Sequence, residues 1–493
     1  MTPAELTAVE ARRLIGTRAL SPVELLESCL AQIERVDPAV NAMVVRDDAL
    51  ARTAARAAEA AVMRGDALGP LHGLPVAIKD IQDAAGLRTT FGSVDFEHNV
   101  ATVDAGIVAR IRAAGGIIIG KTNVPEHSIG ANTVNRLFGA TGNPFDVALT
   151  CGGSSGGSAV AVATNMAPLA TGSDHGGSLR IPACYCGVVG YRATPGVVPN
   201  ERRVVTQTNY SVQGPMARNV ADAALLLSVI AGRSNATRRD PMVFPLDATQ
   251  FAHPGVVDLS SLRVAVTPDL GGVLVSNMVR SVFADRIARI GKLVRRCDVH
   301  PIDLRRAPDV DWHVRQELFV AQHHRDAANW DAGFNPNIRA TYESALTTPM
   351  HNIAVARRLQ MELYQQFSAI FDDYDLVLCP GVSISPFAWQ DLNPKSIDGE
   401  PVANYMAWLA LTSSITVIGH PVVALPCGRD ESGMPFGIQV IGAMYEDRAL
   451  LAAAQALESA FSDDVNLARP VADADVLANT PSACRIAGKR VQA

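Results

Sequence analysis

The chain has 493 residues, 48% of them hydrophobic and 19% charged, with a formal net charge of −6. This composition excludes a disordered or low-complexity protein, and the weak acidity argues against a general binder of nucleic acid or of anionic membrane. Of 43 basic residues only five are lysine (Lys79, Lys121, Lys292, Lys395 and Lys489), so a lysine kept inside an apolar segment draws notice. Burial shifts the pKa of a lysine readily, whereas arginine stays charged.

In chain order, residues 4–65 read as helices. Ser21-Pro22-Val23-Glu24 is a capping box with proline at the first helical position, opening an amphipathic segment to about Val36. Ala51 to Arg64 is alanine-rich and helical. From about residue 71, short β-branched runs stand between glycine-rich turns: Pro75–Ile78, Ile117–Ile119, Leu262–Val266, Leu376–Leu378 and Val422–Leu425. Helical stretches separate them, among them Ala105–Ala114, Ser158–Ala163 and Ala221–Ile230. Strands alternating with helices predict an α/β fold, a central mixed, largely parallel twisted sheet flanked by helices. Residues 310–370 are again helical and carry Trp312, Phe319, Trp330, Phe334 and Tyr364. The adjacent His323 and His324 point in different directions on a helix and read as surface residues.

No linker or repeat divides the chain, so a single domain over 1–493 is expected. Its parts are N-terminal helices (1–65), a core (66–230), a variable helix-rich region on the substrate side (231–375), a returning part of the core (376–470) and a tail (471–493). Cys29, Cys151, Cys184, Cys186, Cys297, Cys379, Cys427 and Cys484 are scattered through hydrophobic segments, the pattern of buried free thiols. The start of the chain lacks a basic and an apolar targeting region, and no apolar run reaches the roughly 20 residues that span a bilayer. A cytoplasmic protein without membrane partners is expected; a homodimer is left open.

Two motifs mislead. Gly115-Gly116-Ile117-Ile118-Ile119-Gly120-Lys121-Thr122 fits the P-loop pattern, but three isoleucines make a stiff strand where a phosphate loop must be flexible. Gly153-Ser154-Ser155-Gly156-Gly157 fits a nucleophile elbow, with His72-Gly73 upstream as an oxyanion loop. A Ser–His esterase of that kind needs a downstream acid and histidine, and no histidine there has a distinctive setting. No metal-ligand cluster such as H-E-x-x-H occurs.

Three segments remain. Gly73-Leu74-Pro75-Val76-Ala77-Ile78-Lys79-Asp80 puts a lysine at the end of an apolar strand. Gly152-Gly153-Ser154-Ser155-Gly156-Gly157-Ser158 and Gly172-Ser173-Asp174-His175-Gly176-Gly177-Ser178-Leu179-Arg180-Ile181-Pro182-Ala183 are rich in glycine and serine. Ser178 is a plausible nucleophile, since two glycines before it let backbone N–H groups crowd round one point, as an oxyanion hole requires. Lys79 serves as its base if burial brings its pKa down from about 10.4 toward neutrality. From the strand alone, a plain ion pair of Lys79 with Asp80 or another carboxylate is an equal alternative.

Together these segments resemble the amidase signature family. The resemblance covers most of the chain, is strongest over residues 65–230, and returns at Asp375–Pro380, Gly419-His420-Pro421 and Gly437-Ile438-Gln439. It implies an acyl-Ser178 intermediate, a bridging Ser154 held by a cis peptide bond, and Lys79 as the ultimate base, with no cofactor and no metal. It places the oxyanion hole at His175, Gly176, Gly177 and Ser178. Ser155 and Ser173 would help hold the site, and Asp174 and Arg180 would brace its loop as an ion pair. Residues around 127–132 would line the acyl pocket, naming His127, Ser128, Ile129 and Asn132. His175, His127 and Thr416 depart from the residues usual in the family. The side chain of His175 is expected to point away, with only its backbone N–H used. The expected activity is hydrolysis of a small-molecule carboxamide, with aryl amides, esters or carbamates as further substrates. The alternative is the glutaminase subunit of a tRNA-dependent amidotransferase. The aromatic residues of 310–408, with Trp389, Tyr405 and Trp408, favour a hydrophobic acyl or aryl pocket.

Overall fold

The computed structural model describes residues 2–233 and 238–481. Cys484, Lys489 and the end of the expected 471–493 tail lie outside the described residues. The N-terminal helices are α1 (Ala8–Gly16), α2 (Pro22–Val40) and α3 (Asp48–Arg64). Ser21 caps α2 and completes the capping box with Glu24, while α3 starts at the cap Asp47 and stops at Gly65, where φ is +78°.

The strands are β1 (Met43–Val45), β2 (Pro75–Lys79), β3 (Ile117–Thr122), β4 (Leu169–Asp174), β5 (Val189–Arg192), β6 (Val212–Ala217), β7 (Arg263–Val266), β8 (Arg296–Val299), β9 (Leu376–Pro380), β10 (Val422–Arg429) and β11 (Pro435–Ile441). They form one 11-stranded sheet in the order β1-β3-β2-β4-β6-β5-β10-β11-β9-β7-β8. The sheet is mixed, as expected, but less parallel than the sequence suggested. Only β3–β2, β2–β4, β9–β7 and β7–β8 run parallel; the six other pairings are antiparallel. The centre is antiparallel because β5 to β6 and β10 to β11 are joined without a crossover helix. β1 is hidden within a stretch that reads as helix, since three residues are too few to show an alternation.

Further helices follow: α4 (Gly106–Ala113), α5 (Gly156–Ala163), α6 (Arg180–Cys186), α7 (Val220–Ile230), α8 (Asn277–Ile290), α9 (Ala307–His323), α10 (Pro336–Thr347), α11 (Met350–Ser368), α12 (Ala410–Ile418) and α13 (Asp447–Phe461). α5 begins at Gly156, two residues before the expected start, and packs across β2, β3, β4 and β6. Its first turn must be glycine. A Cβ at Gly157 would sit 2.4 Å from the backbone nitrogen of Asn123. In the helix-rich 310–370 region, α9 packs against α10, α11 and α12. His323 corrects the expectation of a surface residue: it is buried against the rings of His127, Phe319 and Trp330, while His324 is exposed. Cys29, Cys151, Cys184, Cys186, Cys379 and Cys427 are buried free thiols and Cys297 is half-buried. Among the described residues no helix is long and apolar enough to cross a membrane.

The false P-loop is strand β3. Its Lys121 lies opposite Ile78 of β2, so it shares a sheet face with Asp80 two residues on. Lys121 Nζ reaches Asp80 Oδ1 at 3.0 Å and Thr89 Oγ1 at 2.9 Å, with both charged side chains fully buried. Breaking one member of a buried pair leaves the other charge without its partner. Lys121→Met is therefore expected to destabilise the fold by about 3–5 kcal/mol, read as a lower urea midpoint at unchanged m-value.

Candidate active site

Strand alternation decides the fate of Lys79. Lys79 and Asp80 are consecutive, so they leave the sheet on opposite faces. Asp80 goes to Lys121, and Lys79 goes to the other face, beneath the start of α5. There its Nζ lies 2.7 Å from Ser154 Oγ, 2.9 Å from Ser155 Oγ and 2.9 Å from Ser173 Oγ. Three segments converge on this one nitrogen: the end of β2, the loop entering α5 and the end of the parallel neighbour β4. Such an edge, at the carboxyl ends of adjacent parallel strands, is where open α/β sheets hold ligands. The peptide bond between Gly153 and Ser154 is cis. Burial brings the pKa of Lys79 down to about 7, with Asp174 opposing the shift.

The loop after β4 is pinned by Asp174. Its Oδ1 accepts from the Gly177 N–H at 3.0 Å, from Arg180 Nη2 at 2.9 Å and from Arg192 Nη1 at 3.2 Å. Its Oδ2 accepts from the Leu179 N–H and Arg180 Nε, both at 3.1 Å. Burial by itself would raise the carboxyl pKa; the two guanidinium groups and these hydrogen bonds outweigh it and hold the group well below the usual carboxylate range. Arg180 directs its remaining donors to the Thr412 carbonyl (2.8 Å), Gln439 Oε1 (2.7 Å) and Thr416 Oγ1 (2.9 Å), which ties the loop to α12 and β11. Thr412 Oγ1 in turn donates to the Gly176 carbonyl at 2.6 Å. Gly177 has φ +125°, and a Cβ there would lie 2.3 Å from Thr412 Oγ1, so only glycine fits.

Ser178 lines a narrow cleft, open at its mouth, with a volume of ≈ 20 Å³. Gly153, Ser128, Ile129, His175 and Gly176 share it, and Arg315, Tyr405, Met406 and Leu409 close it. His175 thus sits closer to the cavity than expected, yet its ring is engaged elsewhere: Nδ1 meets Ser211 Oγ at 3.1 Å, and the ring packs on Tyr210. Burial, then Arg315 and Arg192, push its pKa well down, which keeps the ring neutral. Of the expected pocket residues, Ser128 and Ile129 reach the cavity. His127 instead packs among Phe91, Phe96, His323 and Phe334. The amide nitrogen of Asn132 donates to the carbonyls of Trp389 (2.8 Å) and Asp391 (2.9 Å), and its oxygen accepts from Thr150 (2.8 Å). It shapes a loop. Among the aromatics of 310–408, Tyr405 alone borders this cavity; Phe319 and Phe334 form a separate small core, and Trp408 belongs to the main one. A larger, mostly apolar cavity of ≈ 370 Å³ lies on the far side of Ile129, bordered by Trp389, Leu392 and Pro336.

Sequence reasoning missed Arg192, Arg315 and Thr412, and named Tyr405 only among the aromatics of an expected hydrophobic pocket. Arg192 and Thr412 carry no local signal, because their partners are distant in sequence. Arg315 left a faint one: Asp311, Arg315 and Phe319 recur every fourth residue on one helical face, a polar pair on a face that also buries Val314 and Leu318.

A family model described as Amidase matches residues 24–451. The chain belongs to the amidase family. It is 32% identical over 467 residues to an acylamidase of Rhodococcus erythropolis, covering 92% of this chain and 95% of the relative. It is 34% identical over 484 residues to the A subunit of the glutamyl-tRNA(Gln) amidotransferase of Roseiflexus castenholzii, covering 92% and 95%. The crystal structure of a bacterial aryl acylamidase of the amidase signature family matches it with a TM-score of 0.85 at 25% identity, over 98% of this chain and 99% of that one. The protein is therefore an amide-hydrolysing enzyme of the amidase signature type.

In this amidase, Thr416 is the last acceptor for Arg180. Thr416→Val should cost about 1–3 kcal/mol in chemical denaturation, the penalty for a buried donor left unmade, and Thr416→Ser should recover most of it.

Proposed function

We propose that this amidase cleaves carboxamides through an acyl-Ser178 intermediate, with a proton relay from Ser178 through Ser154 to Lys79. The observation that carries the reading is the surroundings of Lys79 Nζ: among the described residues, three serine hydroxyls and no carboxylate are in contact. A neutral amine has two N–H donors and one lone pair. Ser155 Oγ uses its own proton toward the Ser173 carbonyl at 3.3 Å, so it faces Lys79 as an acceptor. If Ser155 and Ser173 take the two N–H groups, the lone pair is left for the proton of Ser154, the closest of the three. Burial supports this state, because a pKa of about 7 leaves much of the amine neutral at physiological pH.

In this scheme Ser178 gives its proton to Ser154 as Ser154 gives its own to Lys79. Ser178 Oγ then attacks the carbonyl carbon, and the backbone N–H groups of the His175–Ser178 loop, apart from that of Gly177, which Asp174 holds, stabilise the oxyanion. Collapse breaks the C–N bond, and the relay returns the proton to the leaving amine. Water attacks the acyl-serine by the same route and restores the enzyme. Ser155 and Ser173 orient the amine, and Asp174, Arg180 and Arg192 hold the loop. His175 contributes its N–H; its ring, bonded to Ser211, has no part in the proton path.

A free-standing amidase is the reading we favour, supported by the likeness to the acylamidase and aryl acylamidase along nearly the full chain. A glutaminase subunit is the second reading, favoured by the equally complete match to the amidotransferase relative. Hydrolysis of p-nitroanilides and aliphatic amides by the purified protein alone separates them, since the second reading expects activity only with a partner protein.

Ser178→Ala should abolish both hydrolysis and labelling by a fluorophosphonate; labelling lost with Ser155→Ala but kept with Ser178→Ala would overturn the assignment. Lys79→Ala should lower kcat by about 10²–10⁴-fold with folding intact, and Lys79→Arg should be at least as damaging, because arginine holds its proton. The sign of the pH dependence follows: kcat/KM of the wild type should rise through an apparent pKa near 7 as Lys79 loses its proton. A profile flat from pH 5 to 9 would contradict the base role.

A further inference from the structure

The wall facing Ser178 contains a buried arginine that the proton relay does not use. Arg315 is only 3% exposed, yet it borders the same cavity as Ser178. It leans on the oxyanion loop: a Cβ at Gly176 would lie 3.1 Å from its Nη2. A guanidinium has five N–H donors, and few are taken here. Nη1 donates to Tyr405 Oη at 3.2 Å, and Nε has no hydrogen-bond partner among the described residues. Asp311, one turn earlier on α9, stays 3.7 Å from Nη2, an ion pair too long to be a hydrogen bond. The rings of Phe319 and Tyr405 flank the guanidinium at 5.7 and 5.8 Å. Charge counts the same way. The guanidiniums of Arg180, Arg192 and Arg315 stand around this loop against the carboxylates of Asp174 and Asp311, so one buried positive charge is in excess when Lys79 is neutral. A structural arginine of this kind would saturate its fork on protein oxygens, as Arg180 does with Asp174, Thr412, Gln439 and Thr416.

The geometry points to Arg315 as a specificity-determining residue that takes a carboxylate on the substrate, so that the preferred amides are those of dicarboxylic half-amides. The fork matches a carboxylate in two hydrogen bonds, and the dry setting makes them strong. The inference rests on the catalytic reading of Ser178 for its orientation only, and its test is made on binding.

The test uses Ser178→Ala protein, in which substrates bind without turnover. Isothermal titration compares malonamate, succinamate and glutaramate with their neutral counterparts propionamide, butyramide and valeramide. At the best chain length the acid should bind at least tenfold more tightly than its neutral partner. Adding Arg315→Met should erase that ratio, and adding Arg315→Lys, which keeps the charge, should retain part of it. Both double variants are first checked for cooperative unfolding at an unchanged m-value; if the methionine variant does not fold, the lysine variant and the acid-to-neutral ratio of the Ser178→Ala protein carry the decision. Equal affinities within every pair, absence of binding by all six amides, or a ratio that survives in the methionine variant would overturn the inference. Turnover heat from Ser178→Ala would instead mark a failure of the catalytic reading.

Discussion

An amine buried among hydroxyls, with no carboxylate in contact among the described residues, is the constraint on which this structure depends. A charged lysine in such a place is costly, so the group is driven toward its neutral form. The sheet creates the situation by its alternation alone. Lys79 and Asp80 would neutralise each other if they shared a face; the pleat separates them and gives Asp80 to Lys121. The five-residue strand Pro75–Lys79 is buried throughout, so the amine lies beneath the start of α5 and away from solvent. Three hydroxyls then satisfy it without fixing its charge.

The rest of the site answers to the same logic with opposite sign. Where Lys79 has hydroxyls only, Asp174 has two guanidiniums and two backbone N–H groups. Its charge is therefore locked while that of Lys79 is free to change. One buried ion fixes the loop that carries Ser178, and one buried amine, its pKa brought down to about 7, is left without a fixed charge. The glycines around them belong to this arrangement. Gly157 lets α5 approach the Asn123 backbone, and Gly177 turns the chain where Thr412 leaves no room for a side chain.

Much of this was legible in the sequence because the chemistry is local. Ser154 and Ser155 lie in one glycine-rich loop, Ser173 through Arg180 in another, and Lys79 ends an apolar run. The capped helix at Ser21 and the β-branched strands are equally local signals. What could not be read is what distant segments bring. The antiparallel centre of the sheet depends on how β5, β6, β10 and β11 pair, and no periodicity states pairing. Asn132 reads as a pocket residue until the loop at 389–391 consumes its amide. The aromatics of α9 to α11 suggest a hydrophobic pocket, but most of them pack in the core, and that region presents an arginine to the cavity instead. His323 reads as exposed and is buried under the rings of His127, Phe319 and Trp330.

The central claim is that Lys79 is neutral at working pH, and the scarcity of lysine makes it directly measurable. With five lysines in the chain, protein labelled at lysine ¹³Cε gives five resonances, and the one missing from Lys79→Arg protein belongs to Lys79. The account predicts that this resonance titrates near pH 7, well below the ordinary lysine range. A resonance that keeps the shift of a protonated lysine to pH 9 or beyond would contradict it, because an amine that holds its proton cannot take one from Ser154.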